Sequence, residues 1–258
     1  MTPPRWIRGA APAAGALLLA LTGCVSAAPE TPSAPPTSPA SSASPSVPEQ
    51  SAPRLRILLD PGHGGEDAGA CRELLPEKTL NLLLAREIRR ELVRRGFTVL
   101  MTRDCDLTLT LRQRQILADA LRPDLLVSVH HNAAVQPDAA GIEYYIRTAE
   151  DDFPNKFFRP SSRRAADFIR QAVVARIPET PDRGVKQARF AVLIPKRPAV
   201  LLEAGFVSNP REALSIHTAE RRRRFAEGVA EGILRYSALV PMSPGLPPEI
   251  AERSHHVR

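Results

Sequence analysis

Residues 54–65 read RLRILLDPGHGG, and this stretch decides the fold. Arg54–Asp60 is a short run rich in β-formers, and Pro61-Gly62 stops it. The run is apolar at most positions, as in a strand covered on both faces, where a half-solvated strand would alternate. The same rhythm recurs outward from it. Glu77–Arg95 sets Leu80, Leu84, Ile88 and Leu92 at helical spacing and stops at Gly96. Phe97–Thr102 predicts a second strand, Leu111–Leu121 a helix ended by Pro123, and Leu125–His130 a third strand. A fourth strand is expected at Gly141–Ile146, a helix at Ser162–Arg176, strands near Ala188–Ile194 and Ala199–Phe206, and a last helix over Ala219–Leu239. This alternation predicts one α/β domain over residues 54–240. Its sheet should be open and mostly parallel or mixed, with helices on both faces.

Composition agrees. The chain has 258 residues, 43% of them hydrophobic, which suffices for a single domain with a sizeable core. Fifteen of its 26 prolines fall in residues 1–53 and 241–258, so a collagen-like or wholly disordered chain is excluded. A folded middle with Pro-rich ends remains, the tail from 241 to 258 being read as unstructured. The formal net charge of +7 permits a polyanionic neighbour. No aromatic-interleaved basic motif accompanies it, so no nucleic-acid partner is expected. Arg221–Arg224 reads as an exposed helical run.

The first residues read as an address. Arg5 and Arg8 precede an apolar stretch from about Ala10 to Leu21, the layout of a secretory signal and too short to span a membrane. It ends in Leu21-Thr22-Gly23-Cys24, which resembles the lipobox of bacterial lipoproteins and implies residues 1–23 as signal and Cys24 as the lipidated first residue. Residues 25–53 hold eight prolines and eight serines in 29 positions and read, with Cys24, as a lipid-anchored tether over 24–53. The expected location is the periplasm or cell envelope. Val25 after the cysteine favours an outer membrane if there are two. In such an oxidising compartment Cys71 and Cys105, which follow the first and second strands, are a candidate disulfide.

Four segments carry chemistry. Asp60-Pro61-Gly62-His63-Gly64-Gly65 turns sharply around one histidine and lets backbone approach a metal or substrate. Glu77-Lys78 opens a helix, where an acid is also favoured by the helix dipole alone. Ser128-Val129-His130-His131-Asn132 ends a strand, and alternation lets only one of the two histidines face a given site. Glu203 lies in Ala199–Phe206, where a charge costs free energy unless paired or metal-bound. Two histidines and a carboxylate with an open fourth position make a recognised catalytic zinc set, and a second carboxylate supplies a general base. In open α/β sheets such sites lie beyond the carboxyl ends of the strands, where His63 and His130 fall.

From about Arg54 to Tyr236 the sequence resembles the zinc-dependent N-acetylmuramoyl-L-alanine amidases of the amidase-3 family. The blocks that carry the likeness are ILLDPGHGGEDAGA, EK-x-x-NL, VLMTRD, L-x-x-R-x-x-x-A (Leu111, Arg114, Ala118), VSVHHNA, GIEYY, GVK and VLLEAGFVSN. The resemblance implies Zn2+ held by His63, Glu77 and His130, with Glu203 as catalytic acid/base. It also implies cleavage of the amide between the lactyl group of N-acetylmuramic acid and L-alanine in peptidoglycan. Asp60 is expected to orient a ligand histidine. Arg114, His131 and Asn132 are further candidates for supporting or substrate contacts. His131 stands where the family usually has a small residue, and Asp119 where it usually has asparagine. Two rival readings are a zinc peptidase acting within the stem peptide and a non-catalytic wall-binding lipoprotein. Some family members carry a long helical plug over the zinc site. The corresponding stretch here, Arg147–Pro160, has 14 residues and two prolines, so an open site and no obligatory activator protein are expected.

Overall fold

The computed structural model describes residues 55–71, 75–148 and 157–240. The expected signal, lipidation site Cys24, tether and tail, and most of the Arg147–Pro160 stretch, lie outside the described residues. Six strands form one mixed sheet in the order β2-β1-β3-β6-β4-β5. They are β1 (Arg56–Pro61), β2 (Thr98–Met101), β3 (Leu125–Asn132), β4 (Ile142–Arg147), β5 (Asp182–Ala188) and β6 (Ala199–Phe206). The first four strands of that order are parallel to one another. β4 runs antiparallel to β6 and parallel to β5, so β4 and β5 form a reversed edge. The helices are α1 (Glu77–Arg94), α2 (Leu111–Leu121), α3 (Arg159–Arg176), α4 (Pro210–Ile216) and α5 (Ala219–Ser237).

The period of two divides each strand between two layers. Ile57 and Leu59 of β1, Val127 and Val129 of β3, Val200 and Leu202 of β6, and Tyr144 of β4 pack against α1, α3 and α5. Leu58, Leu126, Ala199 and Leu201 point the other way, onto Ala118 of α2 and onto Val192 and Leu193. The second face therefore carries the lighter cover. There, at the carboxyl ends of β1, β3 and β6, the candidate site residues emerge. α2 is fixed at its start by a reciprocal cap, the Thr110 hydroxyl accepting from the Gln113 N–H and the Gln113 side chain accepting from the Thr110 N–H. It ends at Arg122 in a left-handed conformation, just before Pro123.

Three expectations need correction. The strand expected near Ala188–Ile194 is Asp182–Ala188, followed by a short 3-10 turn at Ala191–Leu193. As an edge strand with a half-exposed, polar sequence, β5 has no apolar pattern, and the Val-Leu pair of the turn reaches the core without being a strand. α4 was not expected, although Asn209 accepts hydrogen bonds from the N–H groups of Arg211 and Glu212 and Pro210 occupies the first turn. Arg221 is buried, although Arg221–Arg224 reads as an exposed run.

α3 and α5 pack at backbone distance. A Cβ built on Gly232 would lie 2.4 Å from the Ile169 Cα, so the glycine sets the helix separation. In an exposed helix Gly→Ala stabilises by about 1 kcal/mol. Here Gly232→Ala should instead destabilise by about 1–3 kcal/mol through overpacking. Urea unfolding of the variant gives the sign, and a gain in stability would contradict the close approach.

Candidate active site

Beyond β1 the chain turns at His63, whose φ is +60°, and runs on to the start of α1. The ring of His130, at the end of β3, occupies the space over Gly62, where a Cβ would fall 2.0 Å from its Cε1. Glu77 is nearly buried at the first turn of α1 and closes the group. Its Oε1 lies 3.2 Å from His63 Nε2 and 3.0 Å from His130 Nδ1. One donor atom from each of His63, Glu77 and His130 lies within 4.8 Å of the others, close enough for one metal ion to bind all three. Glu203 pairs in register with His130 across the β3–β6 ladder. It borders the same cleft of about 580 Å³ as His63 and His130, whose apolar lining includes Leu109, Leu111, Phe190 and Val192. The Glu203 Oε2 atom is buried and has no hydrogen-bond partner among the described residues.

A profile for Amidase_3, described as N-acetylmuramoyl-L-alanine amidase, matches residues 57–235. The chain belongs to this amidase family. Over 181 residues it is 35% identical to the uncharacterized protein YqiI of Bacillus subtilis, covering 70% of this chain and 84% of YqiI. It is 32% identical to the N-acetylmuramoyl-L-alanine amidase LytC of the same species, again over 70% of this chain but only 35% of LytC. A crystal structure of N-acetylmuramoyl-L-alanine amidase from Clostridium difficile 630 is similar with a TM-score of 0.65 and 32% identity, covering 72% of this chain and 97% of that one.

Within this amidase-family fold the carboxylates sit in contrasting surroundings. Burial works against ionisation of Glu77. The hydrogen bonds to His130 and His63, the His130 charge and the Ala70 N–H outweigh it and hold the carboxyl far below its usual range. His63 moves up, chiefly through its hydrogen bond with Glu77, against the effect of burial and with help from Asp67. Glu203 goes the other way: burial first, then the negative charges of Glu77 and Glu143, push its carboxyl well above the usual range.

The supporting residues differ from expectation. Asp60 touches neither histidine. It accepts hydrogen bonds from Thr102 (2.6 Å), Arg114 (2.6 Å) and Ser128 (2.9 Å), a buried anchor at the strand end. Asp67 takes the orienting place instead, its Oδ2 lying 2.8 Å from His63 Nδ1. The acidic pair Glu66-Asp67, directly after the glycine turn, was the available signal. Arg114 is buried and donates to the carbonyls of Pro61 and His63, so it holds the turn. His131 points to the opposite face from His130, where its Nδ1 lies 2.8 Å from Asn81 Oδ1, and burial lowers its pKa to about 3. Asn132 donates to Glu143, away from the histidines. Cys71 and Cys105 are exposed free thiols, so the candidate disulfide is not formed.

Removing one partner of a buried ion pair strands the other charge. Asp60→Ala should therefore lower stability by about 3–5 kcal/mol, measured by urea unfolding of the metal-free protein. A loss below about 1 kcal/mol would show that Arg114 needs no anion there.

Proposed function

We propose that this chain is a zinc-dependent amidase that cleaves the bond between the lactyl group of N-acetylmuramic acid and the L-alanine of peptidoglycan stem peptides. The observation that carries this reading is the unpartnered, buried Oε2 of Glu203, which borders the same cleft as His63 and His130 of the His63–Glu77–His130 cluster. The donor chemistry fits: two imidazoles and one carboxylate leave a position free, the usual provision for a catalytic zinc. Bound there, zinc supplies a Lewis acid for the amide carbonyl and the attacking water. Glu203 accepts the proton of that water and returns it to the leaving amine, a task suited to a carboxyl whose affinity for protons is raised. His63 presents Nε2 because Asp67 engages Nδ1. Glu77 stays ionised and draws the two rings together.

In the same reading Cys24 is lipidated and the Pro/Ser tether lets the domain work in the periplasm or cell envelope away from its membrane. The enzyme then acts without an obligatory activator. The rivals separate by products: stem peptides beginning with L-alanine support the amidase, shorter fragments a peptidase, and no products a binding protein.

Purified protein should hold about one zinc per chain by the three-ligand count. His63→Ala and His130→Ala should each lose metal and hydrolysis, and full retention of zinc in both would refute the ligand set. Glu203→Gln should keep its zinc yet lose about 10²–10⁴-fold in turnover, whereas a loss under about tenfold would remove Glu203 from the proton path. Asp67→Ala should keep its fold but weaken zinc binding about 10–100-fold, read by chelator competition.

A further inference from the structure

On the face of the sheet that carries the site, one more carboxylate is buried and carries no proton in the proposed reaction. Glu143 of β4 stands opposite Glu203 in the β4–β6 register and is 3% exposed. Its oxygens are fully engaged. Asn132 Nδ2 and the Tyr145 hydroxyl donate to Oε2 at 2.9 and 2.7 Å, and Arg183 Nε donates to Oε1 at 2.6 Å. Lys186 Nζ donates to the same Oε1. So encased, Glu143 is poorly placed to shuttle protons. Its effect is to gather two cations of β5 onto one anion, which leaves a surplus positive charge.

Both cations keep capacity for another anion. Their side chains are 40% and 36% exposed. Arg183 Nη1 donates to the Ala140 carbonyl at 3.3 Å, and Nη2 makes no hydrogen bond among the described residues. The guanidinium lies 5.2 Å from the centre of the Phe206 ring, which helps to fix its plane. Lys186 has three donor protons, of which Glu143 takes one.

The spacing suggests what would bind. Neighbouring strands lie about 4.8 Å apart, so β5 is roughly 10 Å across the sheet from β6, with its side chains reaching back over Glu143. An extended peptide advances about 3.3–3.6 Å per residue, so a group on the second residue beyond a bond held at Glu203 lies about 7 Å away. We propose that Arg183 and Lys186, preorganised by Glu143, form a subsite for a carboxylate on the leaving peptide, namely the free α-carboxylate of a γ-linked glutamate at the second stem position. This rests on the amidase reading of the site. Charge-assisted pairing to a half-exposed guanidinium and ammonium discriminates a carboxylate from its neutral amide, because the amide offers one acceptor where the carboxylate offers two.

The test compares two synthetic N-acetylmuramoyl tripeptides on the full chain, identical except for D-glutamate or D-isoglutamine in the second position. The carboxylate substrate should have the higher kcat/KM by about tenfold or more, mainly through KM. Arg183→Gln and Lys186→Gln should each draw that ratio towards one, and Arg183→Lys should keep part of it. Equal use of the two substrates by the unaltered protein, or an undiminished ratio in both glutamine variants, overturns the subsite. Should Arg183→Gln fail to fold, judged by its thermal transition, Lys186→Gln decides. Cleavage of neither substrate would count against the amidase reading itself. The subsite is then judged by calorimetry with L-alanyl-γ-D-glutamyl-L-lysine and its isoglutamine counterpart, where equal or absent binding overturns it.

Discussion

The site depends on satisfying three carbonyl groups in one turn. Where β1 leaves the sheet, Pro61, Gly62 and His63 present carbonyl oxygens in a largely buried region, and each needs a donor. Arg103 donates to Pro61 at 3.0 Å and to Gly62 at 2.8 Å, and Asn81 adds a bond to Gly62 at 3.2 Å. Arg114 donates to Pro61 at 2.9 Å and to His63 at 2.7 Å. Two guanidinium groups so close are costly, and burial followed by the Arg114 charge lowers the proton affinity of Arg103. Asp60 lies against Arg114 at 2.6 Å and offsets part of that cost. The left-handed backbone of His63 is held by this clamp, as strained residues at functional positions must be held by their surroundings.

The proposed chemistry relies on two carboxylates placed in opposite surroundings. Glu77 has imidazole partners and a backbone N–H, and it stays charged. Glu203 has burial and two negative neighbours, and it binds its proton more tightly. Pairs of acids driven apart in this way suit different tasks, and in the proposed reaction one holds charge while the other moves protons. Each also acts on the other, because the charge of Glu77 is among the causes that raise Glu203.

Much of this was legible in the residue order. Three near-continuous apolar runs marked β1, β3 and β6 of the parallel part of the sheet, and His63, His130 and Glu203, at or near the ends of those runs, border one cleft. Alternation along Ser128–Asn132 required the two histidines to part, and they do. What stayed hidden depended on contacts between distant segments. β5 has no apolar face to show because it is an edge strand gripped by Glu143, a residue 40 positions from Arg183. Asp60 is expected to orient a histidine because ligand histidines commonly need such a partner, while its actual partners Thr102, Arg114 and Ser128 arrive from three other segments of the chain. The free thiols show the same limit, since neighbouring strand ends do not fix where two loop side chains point.

The tandem His130-His131 carries a further consequence for how β3 finds its place. A shift of one residue in a strand exchanges its two faces. For most strands such an error is rejected because an apolar side chain would surface and a polar one would sink. Here the exchange would bring one imidazole to the cleft for another, so the histidines themselves give little discrimination. The discrimination comes from their neighbours: Asn81 accepts only the ring that reaches the α1 side, and the bare Cα of Gly62 admits only the ring that lies over it. The irregularity between His130 and Asn132 shifts the register only beyond the first histidine. The strand is thus proofread at its tip by one amide and one missing side chain.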